Sequence, residues 1–256
     1  LRSIRAEISA HDSAARYRDE FGVDVFIGDG TFTDGRSVHI VGDDGTERDV
    51  TFSRAVIATG ARAAAPPIPG LDGVDYLTNE TVFDLEARPE SLAIIGAGPI
   101  GCEMAQSFAR LGTRVELIEM APRVLPREDP DVAAIVQGAL ERDGITLHLG
   151  AAVQEARVGT VVYTRGETTT NVSADRLLVA IGRAPNIEGL GLDAAGVRYH
   201  KRGVEVNKYL QTSNRRIYAA GDVASPYQFT HIAEAGAGIV VQNALFARTH
   251  PPAHRH

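Results

Sequence analysis

The sequence predicts an α/β fold that combines a Rossmann-like parallel sheet with antiparallel β-meanders. Three observations predict it. Strand and helix patterns alternate over residues 91–149, a glycine-rich turn joins the first of these strands to its helix, and short apolar runs separated by Asp-Gly turns fill residues 23–52. Strands that alternate with helices form parallel sheets with right-handed crossovers, whereas strands joined by tight turns form antiparallel sheets.

The first quarter of the chain predicts a helix followed by a meander. Apolar residues recur near helical spacing before Gly22, a typical helix stop: Ile4, Ile8, Ala15 and Phe21. The runs VDVFIG, SVHIVG and DVTF then predict three strands. We expect a buried strand over 55–59, followed at 65–70 by a proline-rich linker that continues neither a strand nor a helix.

The central part of the chain predicts four strands and two helices. We expect the strands at 92–95, 114–118, 145–149 and 176–181. The first helix spans 99–111, and the second begins at Pro130, with Asp129 as its N-cap, and stops at Gly144. We expect five apolar residues to form the core face of the second helix: Val132, Ile135, Val136, Ala139 and Leu140.

The last part of the chain predicts a second meander, a strand and a closing helix. They are expected at 152–173, 216–220 and 230–247, respectively. Histidines cluster at the end of the sequence: His250, His254 and His256. We interpret this end as a tail and not as a metal site, because Pro251 and Pro252 would break a helix that carried it.

Composition and charge exclude several function classes. The 256 residues carry a net charge of −7, which argues against a nucleic-acid-binding surface. No apolar run approaches the ~18 residues that a membrane span needs. The single cysteine, Cys102, excludes an internal disulfide or a dithiol redox centre made within this chain. It suits a reducing compartment, so we expect a cytoplasmic protein.

The strongest motif is Gly96-Ala97-Gly98-Pro99-Ile100-Gly101, which follows a predicted strand and opens a predicted helix. Gly96 permits a tight turn, Gly98 lets the backbone approach a diphosphate, and Gly101 lets the helix pack closely on the strand. The start of the helix offers unpaired N–H groups and partial positive charge. The alternative is a purely structural turn.

A carboxylate at the end of the next strand favours one dinucleotide over another. Glu119 lies 18 residues after Gly101, where it can accept hydrogen bonds from a ribose 2′-hydroxyl and would repel a 2′-phosphate. The motif therefore predicts NAD(H), and Arg123 leaves NADP(H) as a lesser alternative. Cys102 follows the motif at a helix start that can acidify a thiol, but we interpret it as a small packed residue.

Three further segments carry a resemblance to a known family. They are Ala58-Thr59-Gly60 with Arg62 and residues 66–70, then Gly182-Arg183-Ala184-Pro185-Asn186, and then Thr212 with residues 217–223. In this order, around the glycine motif, the chain resembles the pyridine nucleotide-disulfide oxidoreductases, which include lipoamide dehydrogenase, glutathione reductase and mercuric reductase. Residues 105–112, 126–130 and 227–231 are most similar to mercuric reductases and their relatives.

The resemblance implies a split FAD-binding domain, of residues 1–87 and 184–256, with an NAD(H)-binding domain of residues 88–183 inserted into it. It implies that the FAD site includes Thr59, Gly60, Arg183, Gly221, Asp222 and Thr230. The aspartate that matches Asp222 binds the ribityl chain, and the helix from Thr230 points at the flavin N1–O2 edge. Gly182 joins the glycine motif and Glu119 as an NAD candidate.

The resemblance also implies an activity, which is hydride transfer from NAD(P)H to FAD and onward to a disulfide or Hg(II)-type acceptor. Glu103 matches a glutamate that supports catalysis by pairing with a lysine beside the flavin N5. That lysine, the Cys-x4-Cys pair, the first FAD motif and the C-terminal interface domain have no match in this sequence. Pro99 stands where many relatives have a lid tyrosine.

We therefore expect a chain truncated at both ends, inactive by itself, from a homodimeric parent. Two alternatives stay open. One is an isolated NADH-binding module without turnover. The other is a flavoprotein similar to NADH oxidases or ferredoxin reductases, which share the Ala-Thr-Gly and Gly-Asp segments.

Overall fold

The computed structural model describes residues 2–11, 13–64 and 66–246. The described residues divide into two compact units. The first unit contains the residues up to Arg62 together with those from Ala184 onward, and the second unit contains Ala63–Arg183. The chain therefore passes between the units twice. The predicted closing residue of the last helix, Ala247, and the terminal histidines lie outside the described residues.

The described part of the chain contains five α-helices, three short 3₁₀ helices and sixteen strands. The helices are α1 (Arg2–His11), α2 (Ala14–Phe21), α3 (Pro99–Arg110), α4 (Pro130–Arg142) and α5 (Thr230–Leu245). The strands before α3 are β1 (Gly28–Phe32), β2 (Ser37–Gly42), β3 (Glu47–Thr51), β4 (Ala55–Ile57), β5 (Ala61–Ala63) and β6 (Ser91–Ile95). Those of the central region are β7 (Arg114–Glu119), β8 (Thr146–Leu149), β9 (Ala152–Arg157), β10 (Thr160–Arg165), β11 (Thr168–Ser173) and β12 (Arg176–Val179). The last are β13 (Arg183–Pro185), β14 (Tyr199–His200), β15 (Gly203–Val204) and β16 (Ile217–Ala219).

The first unit contains the predicted meander and a short parallel pair. Strands β1, β2 and β3 pair in order as antiparallel neighbours, and β16 pairs with β4 in parallel. The core of this unit forms around β4 and β16, where Ile57, Ile217 and Val223 are buried. Residues 23–27, which the sequence analysis included in the first strand, precede β1 and form no strand.

The single N-terminal helix predicted up to Gly22 is wrong, because the structure has two helices there. Ser13 occupies the N-cap of α2, and its side chain accepts a hydrogen bond from the Arg16 N–H at 3.2 Å. A serine hydroxyl that satisfies a free N–H in this way favours a helix start over a helix interior. Gly22 ends α2 in the left-handed region, at a φ of 65°, as predicted.

The second unit contains the predicted parallel sheet, with strands in the order β12-β6-β7-β8. Its two faces are both covered. The face with Ile94 and Leu117 packs in a core with buried residues of α3 and α4, and the face with Ile95 and Ile118 packs against the antiparallel meander of β9, β10 and β11. The predicted α/β fold class is confirmed.

Residues 63–87 make their contacts within the second unit. The Leu77 N–H donates to the carbonyl of Leu177 at 2.7 Å, and the Val179 N–H donates to the carbonyl of Leu77 at 2.9 Å. These two bonds attach the segment to the outer edge of β12. The structure thus groups residues 63–87 with the parallel sheet, whereas the sequence analysis placed them with the first domain segment.

Helix α4 buries a narrower face than predicted. Ala133 and Leu140 are buried, but Val132 and Ile135 are 49% and 72% exposed. Ala133 and Leu140 are seven residues apart and share one side of the helix, whereas Ile135 lies about 200° around the helix from Ala133. Leu140, on that side, packs into the core that the sheet and α3 share. None of the helices in the described ranges is long and apolar enough to span a membrane.

Replacing Ile94 by alanine should lower the free energy of unfolding by about 2–5 kcal/mol, because Ile94 is fully buried on the central strand β6. The matched control is Ile135→Ala, which removes the same atoms from the exposed side of α4 and should cost less than about 0.5 kcal/mol. Urea denaturation followed by circular dichroism measures both. Equal losses in the two variants would contradict the burial described for α4.

Candidate functional site

The turn after β6 contains two glycines at which any larger residue would force the backbone to shift. Gly96 has a φ of 101°, and a Cβ there would lie 2.6 Å from the carbonyl oxygen of Ala180. A Cβ on Gly101 would overlap the carbonyl oxygen of Gly96. The Gly96 N–H donates to the carbonyl of Ile118 at 2.8 Å, so the turn is also tied to β7. Close packing therefore accounts for these two positions of the motif.

Gly98 has a different environment, because a Cβ there would meet nothing within 4 Å. Its backbone is extended, with φ −73° and ψ −176°, so no glycine-specific conformation is needed. The missing side chain instead leaves open space in front of the turn. That is the space a diphosphate would occupy when it approaches the backbone.

The start of α3 faces this open space without a side-chain cap. Pro99 is the first helical residue and has no N–H, and the first intrahelical bond runs from the Cys102 N–H to the carbonyl of Gly98 at 3.0 Å. The N–H groups of Ile100 and Gly101 therefore have no acceptor within the helix. Uncapped N–H groups and the helix dipole together favour an anion here.

Glu119 lies beside the turn and is held there by two backbone groups. Its Oε2 accepts from the Ala97 N–H, and its Oε1 accepts from the Ala121 N–H, both at 2.7 Å. Each carboxylate oxygen retains acceptor capacity for a further hydrogen bond. The sequence analysis assigned Glu119 to a ribose 2′-hydroxyl, but it missed that this carboxylate also holds the backbone of the turn.

Arg123, the residue that kept NADP(H) open, is directed into its own loop. Its Nη2 donates to the carbonyls of Pro126 and Glu128, at 2.9 and 2.8 Å. Its Nε is buried without a hydrogen-bond partner in the described structure. The guanidinium is thus used to close the loop that precedes α4.

The remaining candidates of the second unit have simple environments. Cys102 is 5% exposed, its Sγ donates to the carbonyl of Ala97 at 3.4 Å, and burial, with Glu119 nearby, raises the pKa of its thiol to about 11. It is therefore a packed, unreactive group. Glu103 and Gly182 are exposed, and Gly182 has a φ of 135°. Arg183 is the last residue of this unit and is partly buried.

The candidates of the first unit meet at one edge of the β4–β16 pair. Because the strands are parallel, the Thr59-Gly60 turn after β4 and the Gly221-Asp222 turn after β16 lie at the same, carboxyl edge. Gly60 and Gly221 have φ values of 67° and 76°. Asp222 lies in a short 3₁₀ helix and is partly buried. Thr230 begins α5, which has no side-chain cap.

Three residues that the sequence analysis did not assign to the site hold the turn after β4. Asn186 hydrogen-bonds to Thr59 and Gly60, and Arg62 donates to both Asn186 and Glu188. Arg62 holds the pKa of Glu188 down at about 2. Two of the three residues lie in the segments that carried the family resemblance, which is the signal that could have found them.

A separate cavity of about 240 Å³ lies at the opposite, amino end of β12, between that strand, the β9–β10 turn and residues 73–75. Its floor includes Ala93, Val161 and Leu177, which are buried and apolar. None of the predicted site residues lines it. The open space in front of Gly98 is therefore a separate feature, defined by backbone groups.

Comparison with known proteins decides the family. Residues 6–237 match the family model described as pyridine nucleotide-disulphide oxidoreductase. The chain belongs to this family. The predicted resemblance is thereby confirmed.

Several curated proteins are similar in sequence to this chain over most of its length. A mercuric reductase of Staphylococcus aureus is 40% identical over 232 residues, which cover 89% of this chain and 42% of the relative. A dihydrolipoyl dehydrogenase of Bacillus subtilis (strain 168) is 38% identical over 82% of this chain and 46% of its own length. The chain spans about half the length of the curated relatives that it matches.

A solved structure has a similar fold. The HOCl-induced flavoprotein disulfide reductase RclA from Escherichia coli superimposes with a TM-score of 0.80 at 29% sequence identity. The match covers 93% of this chain and 54% of the other.

Exchanging Gly101 for alanine should lower the free energy of unfolding by about 1–3 kcal/mol, because the new methyl group must push α3 away from Gly96. Gly98→Ala is the matched control and should change stability by less than about 1 kcal/mol, because its Cβ meets open space. Chemical denaturation measures both. A Gly98 variant as unstable as the Gly101 variant would contradict the open space described here.

Proposed function

We propose that this chain is the nucleotide-handling part of a flavin-dependent oxidoreductase. The second unit would bind NADH, and the first unit would contribute to an FAD site. The parent enzyme would pass hydride from NAD(P)H to FAD and electrons onward to a disulfide or Hg(II)-type acceptor. The observation that carries this proposal is the uncapped start of α3, which faces the open space at Gly98 beside the fixed carboxylate of Glu119.

The residues of the glycine turn would bind the diphosphate of the dinucleotide. The N–H groups of Ile100 and Gly101 would donate to phosphate oxygens, and the open side of Gly98 would let those oxygens approach the backbone. Gly96 and Gly101 would contribute indirectly, by keeping α3 close to the end of β6. These residues perform no bond-making step. Their work is to hold one reactant in a fixed orientation.

Glu119 would choose between the two nicotinamide dinucleotides. Its carboxylate is fixed by the Ala97 and Ala121 N–H groups, so it cannot swing away from a bound ribose without losing two hydrogen bonds. A ribose 2′-hydroxyl could donate to it, whereas a 2′-phosphate would place like charges in contact. Arg123, whose Nη2 is engaged by two loop carbonyls, offers no competing cation in the described arrangement. These contacts support NADH.

The residues at the carboxyl edge of β4 and β16 fit part of an FAD site. Asp222 has an acceptor carboxylate at a strand end, and the uncapped start of α5 has the partial positive charge that would favour an anionic flavin ring. Bound FAD would supply the ring that accepts hydride. Thr59 and Gly60 would approach it through the backbone of their turn. FAD binding by the first unit and NADH binding by the second unit are tested separately.

The acceptor is proposed from the relatives, since no thiol of this chain suits the chemistry. Cys102 is buried and its pKa is raised to about 11, so we assign it no electron-transfer role. The absence of a suitable thiol also favours a second candidate function for this chain by itself, which is an NADH-binding module without turnover. The flavin absorbance of the purified protein distinguishes a flavoprotein from such a module.

We further propose that the longer parent enzyme is cytoplasmic and homodimeric.

Glu119→Arg should reduce the ratio of NADH to NADPH affinity at least tenfold, which corresponds to about 1.4 kcal/mol. The substitution removes the repulsion of a 2′-phosphate and the acceptor for a 2′-hydroxyl together. Titration calorimetry with each dinucleotide measures the ratio, which is insensitive to a loss of affinity common to both.

The matched control is Glu167→Arg, the same change of charge in the exposed turn between β10 and β11. It should leave the ratio unchanged. If the folded, unmutated chain binds neither dinucleotide, the proposed function is refuted. If the unmutated chain and the Glu119 variant have the same NADH-to-NADPH affinity ratio, the role of Glu119 is refuted.

A further inference from the structure

Asn186 binds the turn after β4 through both its side chain and its backbone. Its Nδ2 donates to the carbonyl of Thr59 at 2.9 Å, and its backbone N–H donates to the carbonyl of Gly60 at 3.0 Å. Its own carbonyl accepts from the Thr59 Oγ1 at 2.8 Å. One residue therefore makes three hydrogen bonds to two successive residues of a turn that is 127 positions away from it in sequence.

Arg62 and Glu188 fix the orientation of the Asn186 amide. Arg62 Nη1 donates to Asn186 Oδ1 at 3.0 Å and to Glu188 Oε2 at 2.9 Å, and its Nη2 donates to Glu188 Oε1 at 3.1 Å. A guanidinium donates only, so the amide oxygen must face Arg62 and the amide nitrogen must face Thr59. The forked pairing with Glu188 in turn holds the guanidinium in place.

The turn lies between two strand pairs, because β4 pairs with β16 before it and β5 pairs with β13 after it. The last paired residue of β4 is Ile57, opposite Ala219, and the Ala220 N–H donates to the Ile57 carbonyl at 3.1 Å. Beyond Ile57 the backbone leaves the sheet, and Gly60 turns through the left-handed region with a φ of 67°. Asn186 directly follows β13, the strand that pairs with β5, and its hydrogen bonds to Thr59 and Gly60 extend that contact across the turn between β4 and β5.

We propose that Asn186 is a positioning residue for a flavin nucleotide. It holds the Thr59-Gly60 turn at the carboxyl edge of β4 and β16, so that the turn and Asp222 present one preformed surface to FAD. Arg62 and Glu188 act through Asn186. The proposal rests on the proposed function for the identity of the ligand, but the hydrogen bonds that carry it are independent of any ligand.

The test is Asn186→Asp, which preserves the shape of the side chain and its acceptor for Arg62. It replaces the donor that faces the Thr59 carbonyl by an oxygen, so an attraction becomes a repulsion. Asn171→Asp is the matched control, because Asn171 is exposed on β11 in the other unit and undergoes the same change of charge.

Three quantities are measured on the full chain at a temperature where circular dichroism shows every variant to be folded. They are the Kd for FAD from flavin fluorescence, the Kd for NADH from calorimetry, and amide hydrogen exchange over residues 58–62. For Asn186→Asp we expect the Kd for FAD to rise at least tenfold, exchange to accelerate at least tenfold, and the Kd for NADH to stay within twofold. Asn171→Asp should leave all three within twofold.

Arg62→Lys is a second variant, which keeps the positive charge but loses the two parallel hydrogen bonds to Glu188. It should also raise the Kd for FAD, by a smaller factor. It decides the matter if Asn186→Asp fails to fold. If the unmutated chain and its Asn186 and Arg62 variants bind FAD with the same Kd, this inference alone is overturned. Equal losses of FAD and NADH affinity also overturn it, because they indicate a general structural role. A folded, unmutated chain that binds NADH but no FAD refutes FAD binding by this chain and this inference with it, whereas NADH binding by the second unit stands.

Discussion

The carboxylate of Glu119 ties the glycine turn to the end of β7, and the geometry of the glycine turn in the second unit rests on these two hydrogen bonds. One oxygen holds Ala97 inside the turn, and the other holds Ala121 after the strand. Together with the bonds from the Gly96 N–H to the Ile118 carbonyl and from the Leu125 N–H to the Ala97 carbonyl, the Glu119 bonds join the turn to β7 and to the loop before α4. A group that would recognise a ribose is therefore also the group that shapes the place where the diphosphate would bind.

Steric requirements divide the glycines of the motif into two kinds. Gly96 and Gly101 allow backbone segments to pack where a Cβ could not fit, whereas a Cβ on Gly98 would have no atom of the described residues within 4 Å. Only Gly98 points to a ligand, because close packing alone would explain Gly96 and Gly101. The turn thus has closely packed backbone at Gly96 and Gly101 and one open side at Gly98. This arrangement is suited to positioning a bound molecule.

Local requirements made much of this structure predictable. The glycine spacing, Pro130 after Asp129, and Gly22 after α2 each follow from backbone geometry within a few residues, and each lies where it was expected. The exposed side of α4 was mispredicted, because how much of a helix the sheet covers depends on tertiary packing. The hydrogen bonds of Asn186 to Thr59 were missed for a similar reason, since they join residues that one sequence cannot place side by side.

The central question is whether a dinucleotide binds in front of Gly98. Backbone amide resonances of isotope-labelled protein, followed during titration with NAD⁺, test this most directly. We predict saturable shifts that are largest at Gly98, Ile100 and Gly101, with smaller ones at Ala97 and Ala121. Shifts concentrated at the cavity around Gly159 and Ala174, or a folded spectrum that NAD⁺ leaves unchanged, would contradict it.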